Sequence, residues 1–177
     1  AIDQKVLLID LDPQGNASTG MGFDRNKRYR TIYDLLALDA SVEKVIKSSN
    51  ISNIDVIVSG VDLSGADIEL VGEKNREFIL KNKTAPIIDN YDYVFIDCPP
   101  SLSLLTVNAL VMAKSVLVPL QCEFFALEGL SHLLKTINLV QKKLNPSLVI
   151  EGILLTMYDR RYNLTTQVED DVRSYLG

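Results

Sequence analysis

The chain has 177 residues, 47% of them hydrophobic and 23% charged, which is the balance of a globular protein with a substantial core and excludes a disordered or fibrous one. Eighteen Lys and Arg against 23 Asp and Glu leave a net charge of −5, so the chain as a whole is no basic nucleic-acid-binding surface, although a local basic patch is compatible with it. Two cysteines and a single histidine exclude a disulfide framework and a Cys/His zinc site, and no stretch reaches the roughly 20 apolar residues of a membrane-spanning helix.

The chain opens on Ala1-Ile2-Asp3 with no initiator Met and no recognisable signal peptide, so a cytoplasmic protein is expected. Val6-Leu7-Leu8-Ile9 is the first of five short runs that are apolar at both parities, as in strands buried on both faces of a parallel sheet. Residues 20–30 form a polar loop rich in Arg and Lys, which reads as solvated surface. Weak helical spacing over 32–46 leads to a second strand, Val56-Ile57-Val58, and weak spacing over 67–80 to a third, Val94-Phe95-Ile96. A helical segment over 103–113 precedes Val116-Leu117-Val118. The clearest helix then runs from Leu127 through Leu130, Leu133, Leu134, Ile137, Val140 and Leu144, stopping before Pro146. Ile153-Leu154-Leu155 is the last strand, and Leu164, Val168, Val172 and Leu176 follow at steps of four. Strands alternating with helices predict a single α/β domain over 1–177, with a mostly parallel sheet and helices on both faces.

Ligands of open α/β sheets lie beyond the carboxyl ends of the strands. Three of those ends carry Asp: Asp10-Leu11-Asp12-Pro13-Gln14-Gly15, Asp97-Cys98-Pro99-Pro100 and Tyr158-Asp159. Alternate residues of an extended segment point the same way, so Asp10 and Asp12 share one side of the strand end. An EF-hand is excluded, because its bidentate Glu would fall at Met21. An aspartyl-phosphate phosphotransferase with Asp10 as nucleophile, a nucleotide hydrolase with a carboxylate orienting water, and a simple turn cap before Pro13 all remain open at this point. Asp97, after Tyr93-Val94-Phe95-Ile96, has the form of a Walker B carboxylate that holds magnesium. Gly60-Val61-Asp62-Leu63-Ser64-Gly65 has the glycine spacing of a phosphate loop, but Ala66-Asp67 stands where Lys and Ser/Thr are needed, so it reads as an ordinary loop. Cys98 and Cys122 read as small buried hydrophobes and His132 as a helix-surface imidazole. In Tyr158-Asp159-Arg160-Arg161-Tyr162, two arginines between tyrosines suit phosphate or base contacts, with a solvated turn as the plainer alternative.

Four longer stretches carry a resemblance. Lys5-Val6-Leu7-Leu8-Ile9-Asp10-Leu11-Asp12-Pro13-Gln14-Gly15-Asn16-Ala17-Ser18 resembles the second ATPase motif of the ParA/Soj family of chromosome- and plasmid-partitioning ATPases, in the MinD/ParA superfamily. Tyr91 through Leu102 resembles that family's Walker B segment, and Val118 through Leu130 with Gly152 through Asp159 also fits it. The resemblance implies a P-loop NTPase-like fold and an ATP-dependent partition switch that uses ATP and Mg2+. Asp12 would then be the catalytic residue that positions the attacking water. Asp10, Asp12 and Asp97 would be the cofactor-binding residues, with Asp97 holding magnesium through water and Asp10 shaping the site. Arg161 falls where the family has an arginine implicated in non-specific DNA binding by an ATP-bound homodimer. A centromere-binding ParB-type partner protein, nucleoid association and no membrane contact are implied as well. Nothing in the chain matches the family's deviant Walker A loop, and Ala1-Ile2-Asp3 corresponds to the tail of the helix after it. Family members also continue beyond the helix ending at Gly177, so an internal segment truncated at both ends, inactive alone, is expected. A non-enzymatic adaptor with a degenerate NTPase fold is the remaining alternative.

Overall fold

A computed structural model of the chain describes residues 3–123 and 126–176, with positions 175 and 176 described by backbone alone. Ala1, Ile2, Phe124, Phe125 and Gly177, all of which enter the resemblance above, lie outside the described residues. The chain divides into two compact units, Ala1–Met112 and Ala113–Gly177.

The first unit is built on β1 (Val6–Asp10), which pairs in parallel with β3 (Ile54–Ile57) on one side and β4 (Tyr93–Asp97) on the other. Its central place explains why it is apolar at both parities, and Leu7 and Ile9 are fully buried. The register sets Asp10 opposite Asp97, so both acidic strand ends finish at the same level. A short strand β2 (Ile46–Ser48) adds antiparallel to β3, giving the order β2-β3-β1-β4.

The helices of this unit are short: α1 (Asn16–Gly20), α2 (Ile32–Ala37), α3 (Val42–Val45), α4 (Ala66–Glu69), α5 (Ile79–Thr84) and α6 (Leu104–Met112). Thr31 and Asp34 form a capping box that starts α2, with the Thr31 N–H donating to Asp34 Oδ2 at 2.7 Å. Two of the weak helical patterns break up. The 32–46 pattern splits into α2 and α3 and ends at β2, and the 67–80 pattern becomes α4, two 3-10 turns and the start of α5. Gly72 and Asn75, the latter at φ 54°, interrupt it. One core holds the unit together: Leu7, Ile9 and Leu11 meet Ile32 and Leu35 of α2, with Leu63, Leu80 and Leu105.

In the second unit β5 (Ser115–Gln121) and β6 (Val149–Thr156) pair in parallel, joined through α7 (Ala126–Lys143) and followed by α8 (Asn163–Leu176). The expected stripe of α7 is the buried one, with Leu130, Leu134, Ile137 and Val140 inward; in α8 Val168 and Val172 are buried as expected, but Leu164 is exposed and Thr165 takes the buried place beside it.

Burial on both faces fails at three strands. Phe95 of β4, Leu117 of β5 and Leu154 of β6 are each more than half exposed. In β1, by contrast, Leu7 and Ile9 are fully buried on one face and Val6 and Leu8 half-buried on the other. Among the described residues no helix is long and apolar enough to cross a membrane.

Candidate functional site

The turn after β1 carries the first two candidate carboxylates, and they differ in kind. Asp10 is fully buried. Its Oδ2 accepts the Ser18 N–H at 2.7 Å and the Ser18 hydroxyl at 2.6 Å, and its Oδ1 accepts the Asp12 N–H at 3.1 Å. The residue before α1 is Gly15, which has no side chain to cap the helix, so Asp10 satisfies a first-turn amide from the strand end instead. Ser18 Oγ in turn accepts the Ser59 N–H at 3.0 Å, which ties the ends of β1 and β3 through one hydroxyl. Fully buried and internally bonded, Asp10 is the least accessible of the three carboxylates to a bound cofactor.

Asp12 is half-buried, and only its Oδ1 is engaged, accepting the Gln14 N–H at 2.9 Å. Among the described residues no donor reaches its Oδ2. Asp97, at the end of the edge strand β4, has no donor on its carboxylate among the described residues either; its backbone oxygen accepts the Leu11 N–H at 2.8 Å. Burial first, then the charges of Asp10 and Asp12, raise the Asp97 pKa above the usual carboxylate value. The neighbouring Cys98 thiol is pushed up to about 12, chiefly by burial and then by Asp97, Asp10 and Asp12, so it stays protonated and unreactive.

Two open carboxylates at adjacent strand ends, beside a third that is internally bonded, form an anionic wall that a divalent cation would relieve. Among the described residues there is no cluster of three acidic, His or Cys ligands able to cage a metal. The donor set suits magnesium, which keeps most of its waters and takes one or two carboxylates beside phosphate oxygens.

Arg28 escaped sequence reasoning altogether, because the 20–30 loop reads as solvated. Its guanidinium turns inward: Nη1 donates to the Ser59 carbonyl at 3.1 Å, and Nη2 donates to Thr19 Oγ1 at 2.7 Å and to the Phe23 carbonyl at 3.0 Å. Burial lowers its pKa, while the charge of Asp10 works in the opposite direction.

Arg161 belongs to the second unit, in the turn between β6 and α8, with 84% of its side chain exposed. It is ion-paired with Asp159, its Nη2 donating to Asp159 Oδ2 at 2.5 Å. At the head of the same turn, Met157 is 81% exposed with a φ of 54°.

Comparison with known proteins gives this geometry a context. A family model described as an AAA domain matches residues 1–150. The sporulation initiation inhibitor protein Soj of Bacillus subtilis (strain 168) is 52% identical over 174 residues, 98% of this chain and 69% of that protein. The chromosome partitioning protein ParA of Myxococcus xanthus (strain DK1622) is 49% identical over 173 residues, 98% of this chain and 61% of that protein. Among solved structures, cobyrinic acid a,c-diamide synthase from Mycobacterium smegmatis, with bound ADP and magnesium, matches with a TM-score of 0.90 at 37% identity, covering 97% of this chain and 69% of that one. This chain therefore spans between 61% and 69% of the length of these three proteins. The expected α/β, P-loop NTPase-like architecture is the one found. With relatives about half identical along nearly its whole length, the chain belongs to the ParA/Soj family of partitioning ATPases.

Proposed function

We propose that this chain supplies the hydrolytic wall of an ATP-driven partition switch for chromosomes or plasmids. The observation that carries the reading is the pair of open carboxylates, Asp12 and Asp97, finishing adjacent strand ends while Asp10 is consumed internally. The free Oδ2 of Asp12 accepts a hydrogen bond from the attacking water and orients its lone pair toward the phosphoryl group. Asp97 would hold a water of the magnesium shell, a role that suits a carboxylate with no donor on it among the described residues. Magnesium, when bound, neutralises charge on the nucleotide phosphates. Asp10 fixes the loop by holding the amides of Asp12 and Ser18. Arg161 meets DNA backbone phosphates in the ATP-bound homodimer, without regard to base sequence, and a ParB-type partner stimulates hydrolysis and release.

The names of the relatives support the partitioning role. The phosphotransferase alternative loses ground on one observation: a nucleophilic Asp10 would need an open oxygen, and both of its oxygens accept hydrogen bonds in a fully buried position.

Asp12→Ala in the whole protein tests the reading. Binding of a fluorescent ATP analogue is expected to persist while kcat falls about a hundredfold or more. Hydrolysis at the parent's rate would leave Asp12 a turn residue and remove the basis of the proposal.

A further inference from the structure

Three acceptors converge on one guanidinium, two of them close in sequence and one 31 residues away. Arg28 reaches from the 20–30 loop to the Ser59 carbonyl beyond β3, to the Thr19 hydroxyl on α1 and to the Phe23 carbonyl. It also packs against the Asp12–Gly15 turn. A Cβ built on Gly15 would stand 2.1 Å from Arg28 Nη1, far inside van der Waals contact. Gly15 has φ 63°, and its N–H donates to the Asp12 carbonyl at 2.8 Å, closing the turn that presents the Asp12 carboxylate. Two independent requirements therefore meet at Gly15, a left-handed backbone and room for a cation beside it.

The other restraints on the Asp12–Gly15 turn come from residues 10–19 themselves. Gln14 is exposed, and its side chain receives only a long contact of 3.4 Å from Arg25. Asp10 holds the two ends of the segment, at Asp12 and Ser18, and its middle has local bonds: Asp12 Oδ1 accepts the Gln14 N–H at 2.9 Å, and the Gly15 carbonyl accepts the Thr19 N–H and the Thr19 hydroxyl, each at 3.0 Å. Arg28 covers that middle and joins it to the end of β3.

We propose that Arg28 is a positioning residue for Asp12, clamping the Asp12–Gly15 turn against the end of β3 so that the carboxylate is preset before nucleotide arrives. The inference rests on the reading of Asp12 given above. Arg28 touches neither substrate nor water in this role; it acts through the turn. Methionine at this position keeps the length and loses every donor. Lysine keeps the charge and reaches one acceptor at a time, so it restores part of the clamp.

The experiment has two readouts on the whole protein carrying Arg28→Met or Arg28→Lys. The first is amide hydrogen exchange in the absence of nucleotide. Gly15, Ser18 and Thr19 are expected to exchange about tenfold faster in Arg28→Met, less so in Arg28→Lys, while Leu8 and Ile9 of β1 keep the parent's protection. The second is steady-state ATP hydrolysis. Arg28→Met is expected to lower kcat about tenfold with KM within about twofold, and to change the residual rate of an Asp12→Ala background by less than about twofold. Unchanged exchange at residues 15–19 would overturn the clamp. Equal losses of kcat in the parent and Asp12→Ala backgrounds would show that Arg28 acts on something other than Asp12. Should Asp12→Ala itself hydrolyse ATP at the parent's rate, the reading of Asp12 fails, and the exchange result still decides whether Arg28 holds the turn. Faster exchange throughout β1 would mean that Arg28 supports the fold generally and would equally refute the specific role.

Discussion

Asp159 closes over Arg161: its carboxylate accepts from the guanidinium Nε at 2.9 and 3.0 Å and from Nη2 at 2.5 Å, and from the Arg161 backbone N–H at 3.0 Å. The pairing lowers the Asp159 pKa and raises that of Arg161. A DNA phosphate approaching Arg161 must share the guanidinium with this carboxylate or displace it. Because the pair is exposed, exchange of one anion for another is inexpensive.

Arg161→Glu is therefore expected to weaken DNA binding of all sequences alike and to reduce the log-log salt slope by about 0.9. Asp159→Asn is expected to strengthen binding at low salt, because it frees the same guanidinium. Fluorescence anisotropy across a salt series, with ATP present, reads both. Affinities equal to the parent's for both variants would make the pair a surface turn with no part in DNA binding.

How far the sequence anticipated these features depends on the distance between partners. β1 was legible because a central parallel strand is apolar at both parities, and α7 because its stripe repeats over five turns. Asp10 and Asp97 were legible because each ends an apolar run, and Asp12 because it stands two residues beyond Asp10; the register then sets Asp10 opposite Asp97. Strand β2 was not, since Ile-Lys-Ser is three residues with no period, and antiparallel pairing with β3 alone defines it. Arg28 was invisible for a different reason. Its acceptor at Ser59 lies 31 residues away, and local composition made the loop a solvated one. Asn108, inside an apolar helix, likewise finds its partners 28 and 32 residues back, at Leu80 and Arg76.

Asp97 gives a pH dependence with a definite sign. Burial, and after it the charges of Asp10 and Asp12, raise its pKa above the usual 3.8, so the folded state disfavours the ionised form. The penalty is fully present above the raised pKa and vanishes below the ordinary value. Asp97→Asn is therefore expected to raise Tm at pH 7 without magnesium, and the gain should shrink to nothing as pH falls below about 4. Magnesium should raise the parent's Tm more than the variant's, since a cation held by the native state alone stabilises it by mass action. A variant less stable than the parent at pH 7, or a difference that ignores pH, would show that the carboxylates do not repel one another in the folded protein.

Asn108 offers the plainest test of the first unit's interior. Its side chain is almost fully buried on α6. Oδ1 accepts the Leu80 N–H of α5 at 3.0 Å, and Nδ2 donates to the Arg76 carbonyl at 2.8 Å and to the Leu104 carbonyl at 3.0 Å. Leu80 is itself fully buried and near the start of its helix, where an amide has no partner within the helix. Alanine at 108 strands that N–H and the Arg76 carbonyl together, at a cost of about 2–5 kcal/mol in unfolding free energy. Aspartate keeps the acceptor for Leu80 but turns an oxygen toward the two carbonyls. Asn108→Asp is therefore expected to be as damaging at pH 7 and to recover in part as acid protonates the carboxylate into a donor. Urea unfolding at pH 7 and pH 5 measures both variants. A loss below about 0.5 kcal/mol for Asn108→Ala would place it with neutral surface substitutions and show that water replaces the amide at no net cost.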